Sequence, residues 1–259
     1  MNTVLTTSPE ALDDHKNFRT ILGVRFFVGD APSAIRRLSA GGLLVVPAAP
    51  ALKNLPHDAA YREALLGADI AITDSIFMVR LWNLLERDSI RRLSGLEYLR
   101  VLLQIPEIRA PHGTYWIMAN PDSARKNMDW LNAEGVHVAQ EDVYLAPFYG
   151  SRIDDQDLLA RLNKRMPRHI IVTIGGGNQE RLGLYLKQNL GYQPTIHCIG
   201  AAIAFLSGDQ VHIPNWVDRW GLGWLLRSAS RPRLYVPRYW DARKLLPLML
   251  RYRNRLPVD

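Results

Sequence analysis

Apolar positions along the chain follow two alternating spacings. Short, mostly apolar runs recur at Ile21 to Val28, Gly42 to Pro47, Asp69 to Thr73, Thr114 to Met118, Val136 to Val138 and Ile170 to Ile174. Each is short enough for a strand buried on both sides. Between them, apolar residues three and four apart predict helices over Pro32 to Ser39, His57 to Leu66, Ser75 to Leu85, Gly95 to Leu103, Asp122 to Glu134 and Asp154 to Arg165. Asn120-Pro121 supplies a cap and an early-helix proline, and Asp154 to Asp157 places acids in a first turn, where the helix dipole favours them. Largely apolar strands alternating with helices predict an α/β fold: an open, mostly parallel Rossmann-like sheet with helices on both faces and ligands at the carboxyl ends of its strands.

The pattern changes near both termini. Residues 1–18 read as a polar leader, residues 19–211 as the α/β core, and residues 212–259 as a basic amphipathic helical appendage. In the appendage, prolines 232, 237 and 247 interrupt the helical spacing, and leucines and aromatics are interleaved with arginines, as in helices that lie at a lipid interface. From His212 onward ten Arg and Lys face Asp218, Asp241 and Asp259, a surplus of +7 that equals the charge of the whole chain. The body is therefore neutral, and the tail is expected to meet something anionic. Nucleic-acid binders spread their cations over a groove or a recognition helix. Interleaving with leucine and tryptophan points to a membrane surface, and no nucleic acid is expected. Cys198 is the single cysteine, so no internal disulfide forms, and its apolar setting makes it an inert thiol. With no apolar run of about 18 residues and no signal-like N-terminus, neither secretion nor a membrane span is expected.

The densest candidate chemistry lies between His169 and Arg227. A strand breaks into Gly175-Gly176-Gly177-Asn178-Gln179-Glu180 and restarts as a helix, which lets backbone N–H groups approach an anion at a positive helix end. The bland alternative is a tight turn with no ligand. A Gly-Lys-Ser/Thr sequence and a GxGxxG fingerprint are both missing, so ATPase and NAD-binding readings lose their support. A second strand runs into Gly200-Ala201. Seven scattered histidines without HxxxH or a cysteine pair give no metal site, and no metal or cofactor is expected. Trp216, Trp220 and Trp224 fall four apart and are expected on one helical face, packed in a core or interface.

Five motifs occur in order: Ala68-Asp69-Ile70-Ala71-Ile72-Thr73-Asp74-Ser75, Arg92-Leu93-Ser94-Gly95-Leu96-Glu97, the glycine turn, Gly200 to Gly208 ending in Phe205-Leu206-Ser207-Gly208, and Pro214-Asn215-Trp216 followed by Gly221 to Arg227. In this register the chain resembles the WecG/TagA/CpsF glycosyltransferases. The resemblance implies an inverting transfer of an N-acetylhexosamine-type sugar from a UDP-sugar to a polyprenyl-diphosphate-linked saccharide in surface or exopolysaccharide biosynthesis. It also implies a cytoplasmic protein, peripheral at the inner face of the cell membrane. A homo-oligomer is compatible with it.

Asp74 resembles the family's catalytic aspartate and would be the general base; read from its position alone it could equally cap the helix that follows. Arg92 would offset phosphate charge, with its neighbour Arg91 as the control, and Glu97 would orient Arg92 or cap a helix. Gly175, Gly176, Gly177, Asn178, Gln179, Glu180, Gly200 and Ala201 would hold the nucleotide, with Gln179 offering hydrogen bonds to uracil or ribose. Ser75, Gly95, His212, Trp216 and Arg227 would support the site, His212 standing where an arginine is expected. The chain departs from the family pattern at Ser75, at Pro47-Ala48-Ala49-Pro50, at Ala204 and at Gly223, where polar or glycine residues are expected. The second reading built on those losses is a catalytically silent sugar-nucleotide-binding or scaffold subunit of a polysaccharide assembly complex.

Overall fold

The computed structural model describes residues 16–211 and 213–258. Its sheet is built from β1 (Phe18–Ile21), β2 (Val24–Phe27), β3 (Gly42–Val45), β4 (Ile70–Ile72), β5 (Thr114–Met118), β6 (Val143–Leu145), β7 (His169–Val172) and β8 (Thr195–Cys198). The order is β1-β2-β4-β3-β8-β7-β5-β6, parallel throughout except where β1 pairs with β2. This is the expected α/β architecture. Strand residues alternate between two cores: Leu43, Val45, Ile170 and Val172 face one, Leu44, Ile171 and Trp116 the other. The period-2 geometry of strands thus explains why these runs are apolar on both faces with few polar positions.

The helices of the core are α1 (Ala31–Arg37), α2 (Ala49–Leu52), α3 (Ala59–Leu66), α4 (Ile76–Glu86), α5 (Gly95–Leu102), α6 (Pro106–Arg109), α7 (Pro121–Ala133), α8 (Gln156–Arg165) and α9 (Asn178–Asn189). Helices α3, α4, α8 and α9 cover the first core, α1, α5 and α7 the second. Several starts follow the caps in the sequence. Asp58, Ser75, Ser94, Asn120 and Asp155 each accept a hydrogen bond from a backbone N–H in the following turn.

Two expectations fail locally. The run from Ile21 to Val28 is a hairpin, because Leu22 (φ 52°) and Gly23 (φ 74°) both take positive φ, the requirement of a two-residue turn matched to strand twist. The turn is held from outside: Leu22 N–H donates to Arg253 O at 2.7 Å, and a Cβ at Gly23 would lie 2.6 Å from Leu256. Val136 to Val138 is not a strand. Both valines are buried, but Asn132 at the end of α7 accepts from Val138 N–H and donates to its carbonyl, which occupies the groups a ladder would use. The edge strand forms instead at Val143–Leu145, after a turn tied by the buried carboxylate of Asp142.

The C-terminal segment forms α10 (Asn215–Arg219), α11 (Gly223–Ser230), α12 (Pro232–Asp241) and α13 (Leu245–Tyr252). Ile213 and Val217 join Leu96 and Phe205 in a small core of their own, and α13 packs against α2 and α4. No helix among the described residues is long and apolar enough to cross a membrane. The tryptophan stripe does not form a single face. Gly221 (φ 70°) ends α10 and redirects the chain, because its Cβ would sit 2.6 Å from Ile76. Trp216 and Trp220 are consequently exposed rather than packed, while Trp224 reaches the neighbouring helix and meets Tyr239 edge-on.

Candidate functional site

The carboxyl ends of β3 and β4 open into a cleft of about 570 Å³ bounded by α4 on one side and the C-terminal segment on the other. At its polar end stands Asp74. The residue lies two positions past the end of β4, and the helix beyond it is capped by Ser75, whose Oγ accepts from Met78 N–H at 3.1 Å. That frees Asp74 from the capping role the sequence left open. Its Oδ1 accepts from Gly95 N–H at 3.1 Å, which places the carboxylate at the positive end of α5, and lies 3.3 Å from Arg92 Nη2. Oδ2 has no hydrogen-bond partner among the described residues, and the side chain borders the cleft. A carboxylate pinned by one oxygen and open through the other is the geometry of a general base.

Gly95 lets α5 start close against the end of β3: a Cβ there would come within 3.1 Å of the Val46 side chain, so one of the two would have to shift slightly. The loop carrying Arg92 and Gly95 is fastened to β4 through Thr73, whose hydroxyl donates to Arg91 O at 2.9 Å and accepts from Leu93 N–H at 3.0 Å.

Arg92 is engaged differently from expectation. Its guanidinium donates to the Asp74 carbonyl at 2.6 Å and to the Asp218 carbonyl at 2.7 Å, and it pairs with both carboxylates. Burial pulls its pKa down, yet Asp74, Asp218 and then Glu97 outweigh that effect and the net shift is upward. Arg92 is therefore a permanent cation spent on orienting Asp74 rather than one presented to phosphate. Asp218, which the sequence reading did not single out, completes the cluster: it is buried and also accepts from Ser94 Oγ at 2.6 Å. Its signal was available, since it is one of three acids in a segment with ten cations.

On the cleft's other wall Arg227 lies 4.1 Å from the Phe205 ring centroid and donates to Tyr239 Oη at 3.2 Å, while its buried Nε has no partner among the described residues. Ile76, Phe77, Leu81 and Leu84 from α4 and Trp224 from α11 make much of the remaining wall apolar, with Arg80 and Arg243 also on the cleft. His212 lies outside the described residues.

The glycine turn ends β7 beside this cleft, with Pro50 bordering both. Gly177 needs its φ of 90°, whereas Gly175 and Gly176 would meet nothing if given a Cβ and adopt no left-handed backbone. A tight turn alone thus accounts for one glycine of three. At Gly175 and Gly176 the backbone borders open space.

The expected contacts from Gln179 and Glu180 do not form at the surface. Both side chains are buried beneath the turn, where Glu180 accepts from Gly177 N–H at 2.6 Å and from the Gln179 amide at 3.1 Å. Gly200 (φ 59°) packs on the Gln179 amide, a Cβ there lying 3.4 Å from it, and Ala201 is exposed. These residues hold the shape of the turn from below. Asn178 stays at the rim, bonded to Arg181, whose Nη1 also donates to Ser151 O at 2.8 Å.

Burial raises the Glu180 carboxyl to about 7 despite its hydrogen bonds. The folded state therefore holds a proton between the carboxyl's ordinary range and pH 7 that the unfolded chain releases, so stability falls as pH rises through that window. With the Gln179 amide turned over, a neutral Glu180 can donate to Gln179 Oε1, which is buried and otherwise unpartnered among the described residues. Glu180→Gln is expected to keep the acceptor for Gly177 N–H, supply that donor at every pH, and remove a penalty of about 3 kcal/mol at pH 8. Thermal melts between pH 5 and 8 check this; a slope in the variant as steep as the wild type's would refute it.

The sequence model of the glycosyl transferase WecG/TagA/CpsF family matches residues 19–258. No curated protein gives a match.

Proposed function

The chain belongs to the WecG/TagA/CpsF family of glycosyl transferases, and on that premise we propose that it transfers an N-acetylhexosamine-type sugar, with inversion, from a UDP-sugar to a polyprenyl-diphosphate-linked saccharide during assembly of a surface polysaccharide. One observation carries the reading: Asp74, fixed by Gly95 and Arg92, offers its second oxygen to the polar end of the large cleft. In this role Asp74 takes the proton from the acceptor hydroxyl as the sugar's anomeric carbon is attacked. The open glycine turn, with its helix dipole, receives the donor's diphosphate. Fixed N–H dipoles and cationic side chains offset the leaving charge, so a metal ion is not part of the proposed reaction.

The acceptor side is supported by the cleft's apolar walls and by what surrounds it. Trp216, Trp220, Trp240, Leu234 and Leu250 are exposed on the C-terminal helices among basic residues, and Arg243 lies 4.2 Å from the Trp240 ring centroid. Such a surface suits an anionic leaflet, where each basic residue contributes about 1 kcal/mol. The protein accordingly works as a peripheral membrane enzyme on the cytoplasmic side. The intact Asp74–Arg92–Asp218 cluster favours this over a silent scaffold, since a cluster kept only for packing needs no open carboxylate oxygen. Incubation of the protein with UDP-N-acetylhexosamines and a polyprenyl-diphosphate disaccharide in anionic vesicles is expected to release UDP and give a longer lipid-linked glycan. UDP-sugar left intact with every such acceptor would remove the reading.

A further inference from the structure

Beside the glycine turn lies a second, smaller cavity of about 200 Å³, lined by Gly176 and Gly177 on one side and by Lys53, Asp58, Tyr61 and Asp241 on the other. Three of its features belong to an anion site. The N-terminus of α9, a helix of 12 residues, begins at Gly177 on its wall and brings the positive end of the helix dipole, although Gly177 N–H itself is taken by Glu180. Tyr61 is buried, and its hydroxyl has no hydrogen-bond partner among the described residues. Lys53 brings a cation that is itself largely buried. A fourth feature is out of place: the C-terminal segment reaches back across 188 residues and sets the carboxylate of Asp241 on the Lys53 ammonium.

We propose that Lys53 is a binding residue for the diphosphate of the donor, and that Asp241 is its internal placeholder, displaced when the donor enters. The proposal rests on the donor reading of the glycine turn given above. Asp241 can leave without stranding its charge, because Lys244 Nζ holds its other oxygen at 2.7 Å and moves with it. Lys53 cannot lose Asp241 so cheaply. It would remain as a largely buried cation facing a helix N-terminus, and only an anion resolves that. Asp58, the remaining carboxylate on the cavity, is committed to the N-terminus of α3, where it accepts from Tyr61 N–H at 2.9 Å. Exchange of one anion for another on Lys53 therefore leaves the cation answered in both states.

The exchange also couples the site to the membrane-facing segment. Asp241 is the last residue of α12, directly after exposed Trp240 and before the turn into α13. Its ion pair is a polar fastener between the joint of these two helices and the core. Donor binding releases that fastener, while the apolar contacts of α13 with α4 remain.

Calorimetric titration with UDP of the wild-type chain, Asp241→Asn, Lys53→Gln and the double variant tests the proposal. Asp241→Asn is expected to bind UDP about tenfold more tightly and Lys53→Gln about tenfold more weakly, a factor that corresponds to one charge-assisted hydrogen bond. In the Lys53→Gln background the Asn substitution should change affinity by less than about twofold, because its benefit acts through Lys53. UDP should also speed tryptic cleavage after Arg243 and Lys244 in the wild type. Equal affinities across all four proteins, equal tightening in both backgrounds, or unchanged cleavage overturns the placeholder while leaving the donor site in place. A wild-type chain that binds no UDP overturns the donor reading on which it stands.

Discussion

Replacing Asp74 by Asn is expected to lower the rate of sugar transfer by about a thousandfold while leaving UDP affinity within about twofold. The substitution is conservative where the residue is held and disruptive where it is open. Asn Oδ1 can still accept from Gly95 N–H and face Arg92, because both partners donate. The amide nitrogen then occupies the position of Oδ2, so a donor replaces the acceptor that the reaction requires. The glycine turn lies on β7 and α9 and shares no hydrogen bond with Asp74, which is why donor binding should survive. Single-turnover measurement of glycan extension together with UDP calorimetry separates the two effects. Turnover within tenfold of wild type would remove Asp74 from the role of base, and joint loss of turnover and UDP binding would mean that the variant had disturbed the fold.

The sheet was legible in the sequence because a parallel strand between two helical layers is mostly apolar on both faces, and β3, β5, β7 and β8 are buried along their whole length, their few polar residues (Thr114, His169, Thr195, His197) included. The hairpin at Leu22-Gly23 was not. Its turn lacks the Asn or Asp that usually accompanies a positive φ, and the contact that fixes it comes from Arg253 and Asn254, more than 200 residues away. The same distinction runs through the site. Asp74, Ser75 and Gly95 could be named from local order, and the neighbouring pair Asp74-Ser75 even holds the answer to which residue caps α4. What local order could not assign was the partner of Arg92, since Asp218 arrives from 126 residues farther along, on a helix of the appendage whose tryptophans drew the reading instead.

Gln179 and Glu180 show the reverse failure. Their side chains look ideal for ligand contact, but the first turn of α9 rotates them beneath the glycines, where their hydrogen bonds shape the backbone instead. The tryptophan spacing misled for a simple geometric reason. Period-4 spacing marks a face only while the helix continues, and Gly221 ends it after Trp220.

The second large effect is expected from Arg92→Met, which should lower stability by about 4 kcal/mol and the melting temperature by about 10 °C. Arg92 supplies four donated contacts to two segments that have no covalent reason to meet: the end of β4 at Asp74 and the start of the C-terminal segment at Asp218. Methionine fills much of the volume but leaves two acceptor carbonyls and two carboxylates facing each other. For Asp218, which is buried, the unanswered charge is the larger part of the cost. This fixes the sign of a second measurement. In the wild-type background Asp218→Asn removes a charge that Arg92 needs, and should destabilise by about 2 kcal/mol. In the Arg92→Met background the same substitution removes a charge that nothing answers, so it should restore part of the lost stability. A double-mutant cycle by chemical denaturation reads this change of sign directly. Additive losses would show that Arg92 and Asp218 act independently, in which case the ion cluster is not what joins the C-terminal segment to the catalytic edge of the sheet.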